Sequence, residues 1–286
     1  MYETFYELRE KPFALSPDPA YLYPARRHRH ALTLLEYVFS EAAAFSLLTG
    51  EVGCGKTTVV THFLERFRAR VCVAFITSLH PGSGHLLPWI VESLGLEVGQ
   101  APPAELFRRF LTHAKSQYQA GRRVVLVIDE AQNVPVQGLE ELRVLSNLNL
   151  GKQLLLQIIL IGQPELRATL SLPALRQLAQ RISMDHHLEA LQPDETESYI
   201  RHRVSIAGGR GDLFTAEAIH LVYAATGGVP RLVNIVCDTA LVYGFSERRA
   251  QIDAELVEQV IQDRAEGGLL PLTVPVRGVP GSVAAG

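Results

Sequence analysis

A chain that runs from a short apolar segment through Gly50-Glu51-Val52-Gly53-Cys54-Gly55-Lys56-Thr57-Thr58 into an amphipathic segment has few folds open to it. The apolar segment, Phe45-Ser46-Leu47-Leu48-Thr49, reads as a strand, and Val59 to Arg68 reads as a helix. Strand, glycine-rich loop and helix in that order, with the spacing G-x-x-x-x-G-K-T, make a phosphate-binding P-loop. Glycines at 50, 53 and 55 let backbone N–H groups turn inward around anionic oxygens, in dihedrals that a Cβ would penalise. The helix N-terminus beneath the loop adds its own partial positive charge. Lys56 is placed to neutralise β- and γ-phosphates, and the Thr57 hydroxyl to ligate Mg²⁺. Residues 50–58 are the expected nucleotide-binding loop.

A second signature follows some seventy residues on. Val124-Val125-Leu126-Val127-Ile128 runs straight into Asp129-Glu130, an apolar strand that delivers two carboxylates at its carboxyl end, where open α/β sheets bind ligands. Asp129 is expected to hold Mg²⁺ through water, and Glu130 to polarise the water that attacks phosphorus. Another apolar strand, Leu154 to Ile161, ends at Gly162-Gln163-Pro164, which makes Gln163 a candidate for orienting that water. Val71 to Thr77 and Ile182 to Leu188 complete the strands; helices are expected over 26–43, 86–94, 104–119, 136–150 and 172–180. Strands alternating with helices, several of them continuously apolar, predict an α/β fold around a parallel sheet covered on both faces.

From Gln192 the pattern holds helices only, over 193–207, 215–225, 230–245 and 253–262. The expected organisation is an extended N-terminal arm over 1–25, a P-loop core over 26–191, a small all-helical domain over 192–265 and a flexible tail or linker over 266–286. Proline density underlies the first of these, because Pro12, Pro17, Pro19 and Pro24 exclude a regular helix. The arm's aromatic residues either pack on a domain face or cover the nucleotide base. Arg26-Arg27-His28-Arg29-His30 reads as a solvated helix start, or as a contact for DNA or a neighbouring subunit.

Net charge is −3, which gives no overall electrostatic case for nucleic acid or membrane. The three cysteines lack metal-ligand spacing and read as small apolar fillers in a reducing compartment, with Cys54 at a helix end where oxidation is conceivable. No apolar run has the length of a membrane span, and the N-terminus is not a secretory signal, so a cytoplasmic location is expected.

Taken together, the P-loop, Asp129-Glu130, a polar strand tip, downstream arginines and a terminal helical domain resemble an AAA+ ATPase. Phe5-Tyr6 with Lys11-Pro12-Phe13, Pro17-Asp18-Pro19 and His28-x-x-Ala31-Leu32 is similar to the opening of the ExeA-type family, the general secretion pathway protein A group. Ile128-Asp129-Glu130-Ala131-Gln132, Ile161-Gly162-Gln163-Pro164-Glu165-Leu166 and Gly227-Gly228-Val229-Pro230-Arg231 also match that family, over residues 1 to about 265. The resemblance implies a five-stranded parallel core followed by a helical lid, an ATP·Mg²⁺ site between subunits, and a homo-oligomeric ring or filament. Gln163 then falls at sensor 1, Arg181 at the trans arginine finger with Arg176 as the fallback, and Arg231 at sensor 2, contacting the γ-phosphate in cis.

Secretion members of that family continue into a membrane span and a cell-wall-binding domain, so this sequence reads either as the cytoplasmic part of a longer protein or as a soluble branch. Three functions follow. One is an ATPase that drives assembly of a bacterial envelope machine for secretion, pili or exopolysaccharide, through a protein partner. Another is a duplex-DNA-binding regulator of transposition that recruits a transposase; the basic groups at 26–29, 201–203 and 248–249 are its candidate contacts, against the acidic net charge. The last is a slow nucleotide-dependent switch, which Glu130 argues against.

Overall fold

The computed structural model describes residues 1–16, 18–77, 85–150, 153–267 and 271–273. They form two compact units: Asp18–Glu189, and one that joins the N-terminal residues to the chain from Ala190 onward.

The first unit is built on five strands: β1 Phe45–Gly50, β2 Val71–Ile76, β3 Arg123–Ile128, β4 Leu156–Gly162 and β5 Ile182–Leu188. Their order across the sheet is β2-β3-β4-β1-β5, every pair parallel. β1 and β4 are buried along their whole length, and β3 from Val124 on, as central strands with both faces covered must be. The edge strands β2 and β5 are buried only in part, and β5 accordingly accommodates Asp185, His186 and His187. One face of the core gathers Phe45, Leu47, Leu126, Ile128, Ile158 and Leu160 from the strands against Ile90, Phe110 and Leu139 from helices Leu87–Ser93, Pro103–Gln119 and Val136–Leu145.

The register puts the P-loop beside the other signatures. Thr49 pairs with Gly162, and Ile128 with Leu160, so β1, β4 and β3 all end on the same edge. The helix expected to reach residue 150 stops at Leu145, and Asn149–Leu150 instead pairs with Gln153–Leu154 as a short antiparallel hairpin. A helix over Glu165–Leu170, with no strong periodicity of its own, follows the tip of β4.

In the second unit, helices Pro193–Ile206, Ala216–Thr226, Pro230–Ser246 and Ala254–Glu266 pack together. Three start with side-chain capping bonds: Glu195 Oε2 accepts from Gln192 N–H (3.1 Å), Thr215 Oγ1 from Ala218 N–H (3.1 Å) and Asp253 Oδ1 from Leu256 N–H (3.0 Å). The N-terminal residues belong to this unit. The Tyr2 hydroxyl donates to Asp238, Tyr6 donates to the Arg249 carbonyl (3.1 Å), and Phe13 meets Phe214 edge-on at 5.7 Å. Buried Arg203 donates Nε to the Pro12 carbonyl and Nη1 to Tyr199 (2.9 Å). An arm read as extended over 1–25 is therefore divided, and it carries a one-turn helix at Tyr2–Phe5 ahead of its first proline and a 3-10 turn at Pro19–Tyr21. Proline blocks helix only downstream of its own i−4 carbonyl, so residues 2–5 are free to turn.

Candidate nucleotide site

β1 ends at Gly50, and the helix that follows begins at Lys56. Between them Gly53 and Gly55 hold φ of 84° and 90°, left-handed values that a Cβ would strain. The Lys56 ammonium is buried under the loop and donates to the carbonyls of Gly50 (2.8 Å) and Glu51 (2.9 Å). Thr57 Oγ1 donates to Asp129 Oδ2 at 2.7 Å, which ties the first turn of the helix to the tip of β3. Thr58 is half-buried beside it, while Glu51 and Val52 at the loop's crest are exposed.

Asp129 Oδ1 also accepts from the Glu130 N–H (2.9 Å), and this turn places Glu130 in the left-handed region at φ 50°, ψ 40°. Its carboxylate is held by two amides. Gln163 Nε2 donates to Glu130 Oε2 at 3.2 Å, and Gln132 Nε2 donates to the same oxygen. Gln132 in turn accepts from the Gln163 backbone N–H through Oε1 (3.1 Å). A Cβ on Gly162 would come within 2.9 Å of that Oε1 and 2.7 Å of Leu166, so the interlock of the two tips needs glycine at 162. Gln132 thus spans both strand tips, a role that its place two residues beyond Glu130 does not announce.

Other contacts were equally hidden in the sequence. Thr49, fully buried just before the P-loop, accepts from Arg167 Nε (2.9 Å) and meets His187 Nδ1 at 3.1 Å, while Arg167 also pairs with Asp185. His28 is buried, not part of a solvated helix start; its Nε2 donates to the Cys54 carbonyl at 3.1 Å from behind the loop. Cys54 is buried as well, and burial pushes its thiol up, only partly offset by the Lys56 charge.

Within the first unit Arg181 and Arg176 stand away from the loop, and Arg231 belongs to the second unit. Arg181 immediately precedes β5, whose first residue pairs with the first residue of β1, so it stands at the amino end of the sheet. There it donates to Ser146 Oγ at 2.8 Å. Arg176 is exposed at the start of the short helix before it. Arg231 is exposed in the first turn of helix Pro230–Ser246, in the second unit.

A hydroxyl and a carboxylate in contact offer hard oxygen donors. Among the described residues no group of three or more His, Cys, Asp or Glu could hold a metal by itself. That donor set fits Mg²⁺, which takes one or two protein oxygens and the rest from phosphate and water.

The sequence over residues 40–170 matches the family described as an AAA domain. The General secretion pathway protein A of Aeromonas hydrophila is 40% identical over 247 residues, which are 86% of this chain and 45% of that one. The chain belongs to the AAA+ proteins of the ExeA type. It spans just under half the length of that relative. Solved structures agree on the fold. The ORC2 protein of Aeropyrum pernix, in ADPNP–ADP complexes, superposes with a TM-score of 0.71 at 16% identity, covering 91% of this chain and 74% of that one. Cdc6p of Pyrobaculum aerophilum gives 0.67 at 15% identity, over 88% and 70%. The ORC1 protein of Aeropyrum pernix, in complex with DNA, gives 0.65 at 20% identity, over 90% and 69%. The ExeA-type core is thus an AAA+ sheet followed by a helical part. Among the described residues no helix is long and apolar enough to cross a membrane.

Proposed function

We propose that this chain binds ATP with Mg²⁺ and hydrolyses it, that it oligomerises through its nucleotide site, and that it drives assembly of a bacterial envelope machine. The observation that carries the hydrolytic part is one cluster: Thr57 on Asp129 at 2.7 Å, with Glu130 turned to Gln163 at 3.2 Å. Residues 50–58 receive the phosphates on backbone N–H groups, and Lys56 exchanges its two carbonyl partners for β- and γ-oxygens. Thr57 and Asp129 are the residues that would hold Mg²⁺, which would supply charge neutralisation to the phosphates. Glu130 takes the proton of the attacking water and Gln163 orients that water through its amide.

Arg181 stands a strand's length from its own P-loop, about 20 Å at the usual rise, so it serves a neighbour's site rather than its own. Arg231, in the helical part, takes the sensor 2 role that the family resemblance gives it. The envelope role rests on the relative, whose name is that of a secretion-pathway protein. The reading as a DNA-binding transposition regulator is disfavoured by what the expected basic groups do. Arg27 pairs with Glu189, Arg201 with Glu197, and Arg249 with Glu247, Asp253 and Glu255.

The test is steady-state ATPase activity across protein concentration, with and without duplex DNA at moderate salt. Specific activity is expected to rise with concentration, to ignore DNA, and to disappear with nucleotide binding in Lys56→Ala. Strong stimulation by DNA that salt abolishes would transfer the protein to the transposition reading. No phosphate release at any concentration would leave a nucleotide-dependent switch.

A further inference from the structure

The amino end of the sheet carries a different chemistry. The segment after the P-loop helix brings Arg68 and Arg70 to the start of β2, and Arg122 and Arg123 open β3 beside it. The two segments are joined where the Arg123 N–H donates to the Arg70 carbonyl at 2.9 Å. The Arg70 guanidinium lies over Phe39 and Phe67, 5.3 and 5.7 Å from the ring centroids, and Arg123 lies over Phe39 at 5.0 Å. Arg123 is half-buried and donates to Gln157 Oε1 at 3.0 Å. Arg68, Arg70 and Arg122 are exposed, and among the described residues none of the three makes an ion pair. These charges act on one another. Burial first, and then the Arg70 charge, hold the Arg123 guanidinium below its usual range; burial and then Arg122 do the same to His113.

We propose that this arginine edge docks an acidic segment of a protein partner, with its carboxylates received by Arg68, Arg70 and Arg122. Stacking on phenylalanine rings orients a guanidinium and leaves its outer N–H edge free, the geometry that meets a carboxylate bidentately. The footprint is small, two adjacent strand starts about 5 Å apart, where a duplex asks for cations spread over many phosphates. A net charge of −3 also opposes a polyanion at long range, which a short contact of fixed geometry tolerates. No exposed large apolar side chain lies in 66–70 or 121–123 to enter a bilayer. The edge is separate from Arg181 too, since β5 stands three strand spacings from β3, about 14 Å. The proposal does not depend on the hydrolytic reading.

The probe is a fluorescein-labelled peptide of alternating Glu and Ser, titrated by anisotropy with the whole chain at low and moderate salt. Binding is expected, weakened by at least about tenfold in Arg68→Glu/Arg122→Glu, while the melting temperature and the affinity for a fluorescent ATP analogue stay unchanged. Arg70→Lys, which keeps the charge and loses the stacked fork, is expected to fall between. Absence of peptide binding, or equal binding by the Glu double variant, overturns the proposal, and full affinity in Arg70→Lys overturns the fork geometry. Tighter binding to duplex DNA or to phosphatidylglycerol vesicles, lost in the same Glu variant, overturns the acidic-protein partner and reassigns the arginines to phosphate.

Discussion

The two ends of one parallel sheet are opposite in chemistry. At the carboxyl end Lys56, Thr57, Asp129, Glu130, Gln132 and Gln163 come from three strand tips and are bonded to the loop or to one another. At the amino end Arg68, Arg70 and Arg122 are exposed and, among the described residues, make no ion pair, while Arg181 donates to a serine hydroxyl. A sheet whose strands all run one way presents its loops to ligand at one end only. One end gathers side chains bonded to the loop and to one another, and the other presents Arg68, Arg70 and Arg122 as exposed cations.

The sharpest way to break that contrast is Arg181→Ala. A finger acting on a neighbour is worth about 10³–10⁵ in turnover, so phosphate release should collapse at every protein concentration. Normal turnover would confine the chemistry to the carboxyl end and leave Arg176→Ala as the next substitution to assay. Glu130→Gln comes second, with turnover lower by about 10²–10⁴ and ATP binding retained in a filter assay. Retained hydrolysis would remove Glu130 from the reaction.

Gln132→Ala tests the interlock more finely. The substitution removes the bond to Glu130 and the one from the Gln163 N–H; losing the first, at about 1–1.5 kcal/mol, should lower kcat about tenfold with KM unchanged. A rise in KM alone would mean that Gln132 shapes binding and not Glu130. The smallest effect concerns Cys54. Its raised pKa leaves less thiolate at neutral pH than an ordinary cysteine has, so iodoacetamide should label it slowly in the native chain. Labelling should quicken as pH rises toward the thiol's pKa, or on unfolding; fast labelling at neutral pH would show an open P-loop rather than a sealed one.

Local patterns in the chain were enough to specify the strands, the P-loop helix, the paired carboxylates and the helical C-terminal part. Each is announced by residues close in sequence: continuous apolar runs for buried parallel strands, glycines before Lys56, capping Thr215 and Asp253. The grouping of Asp129 with Thr57 was legible too, because a strand ending in carboxylates has one end at which to place them. Other features depended on residues far apart. Gln132 could not be told from any polar turn residue until β3 and β4 were set side by side, and His28 looked like part of a basic run until its helix brought it behind Cys54. Likewise, Arg70 and Arg123 are 53 positions apart in the chain and meet over Phe39 only because β2 and β3 are neighbours. Sequence period fixes which face a residue takes; strand order and register decide what that face meets, and both are settled by burial of the whole sheet rather than by any local run.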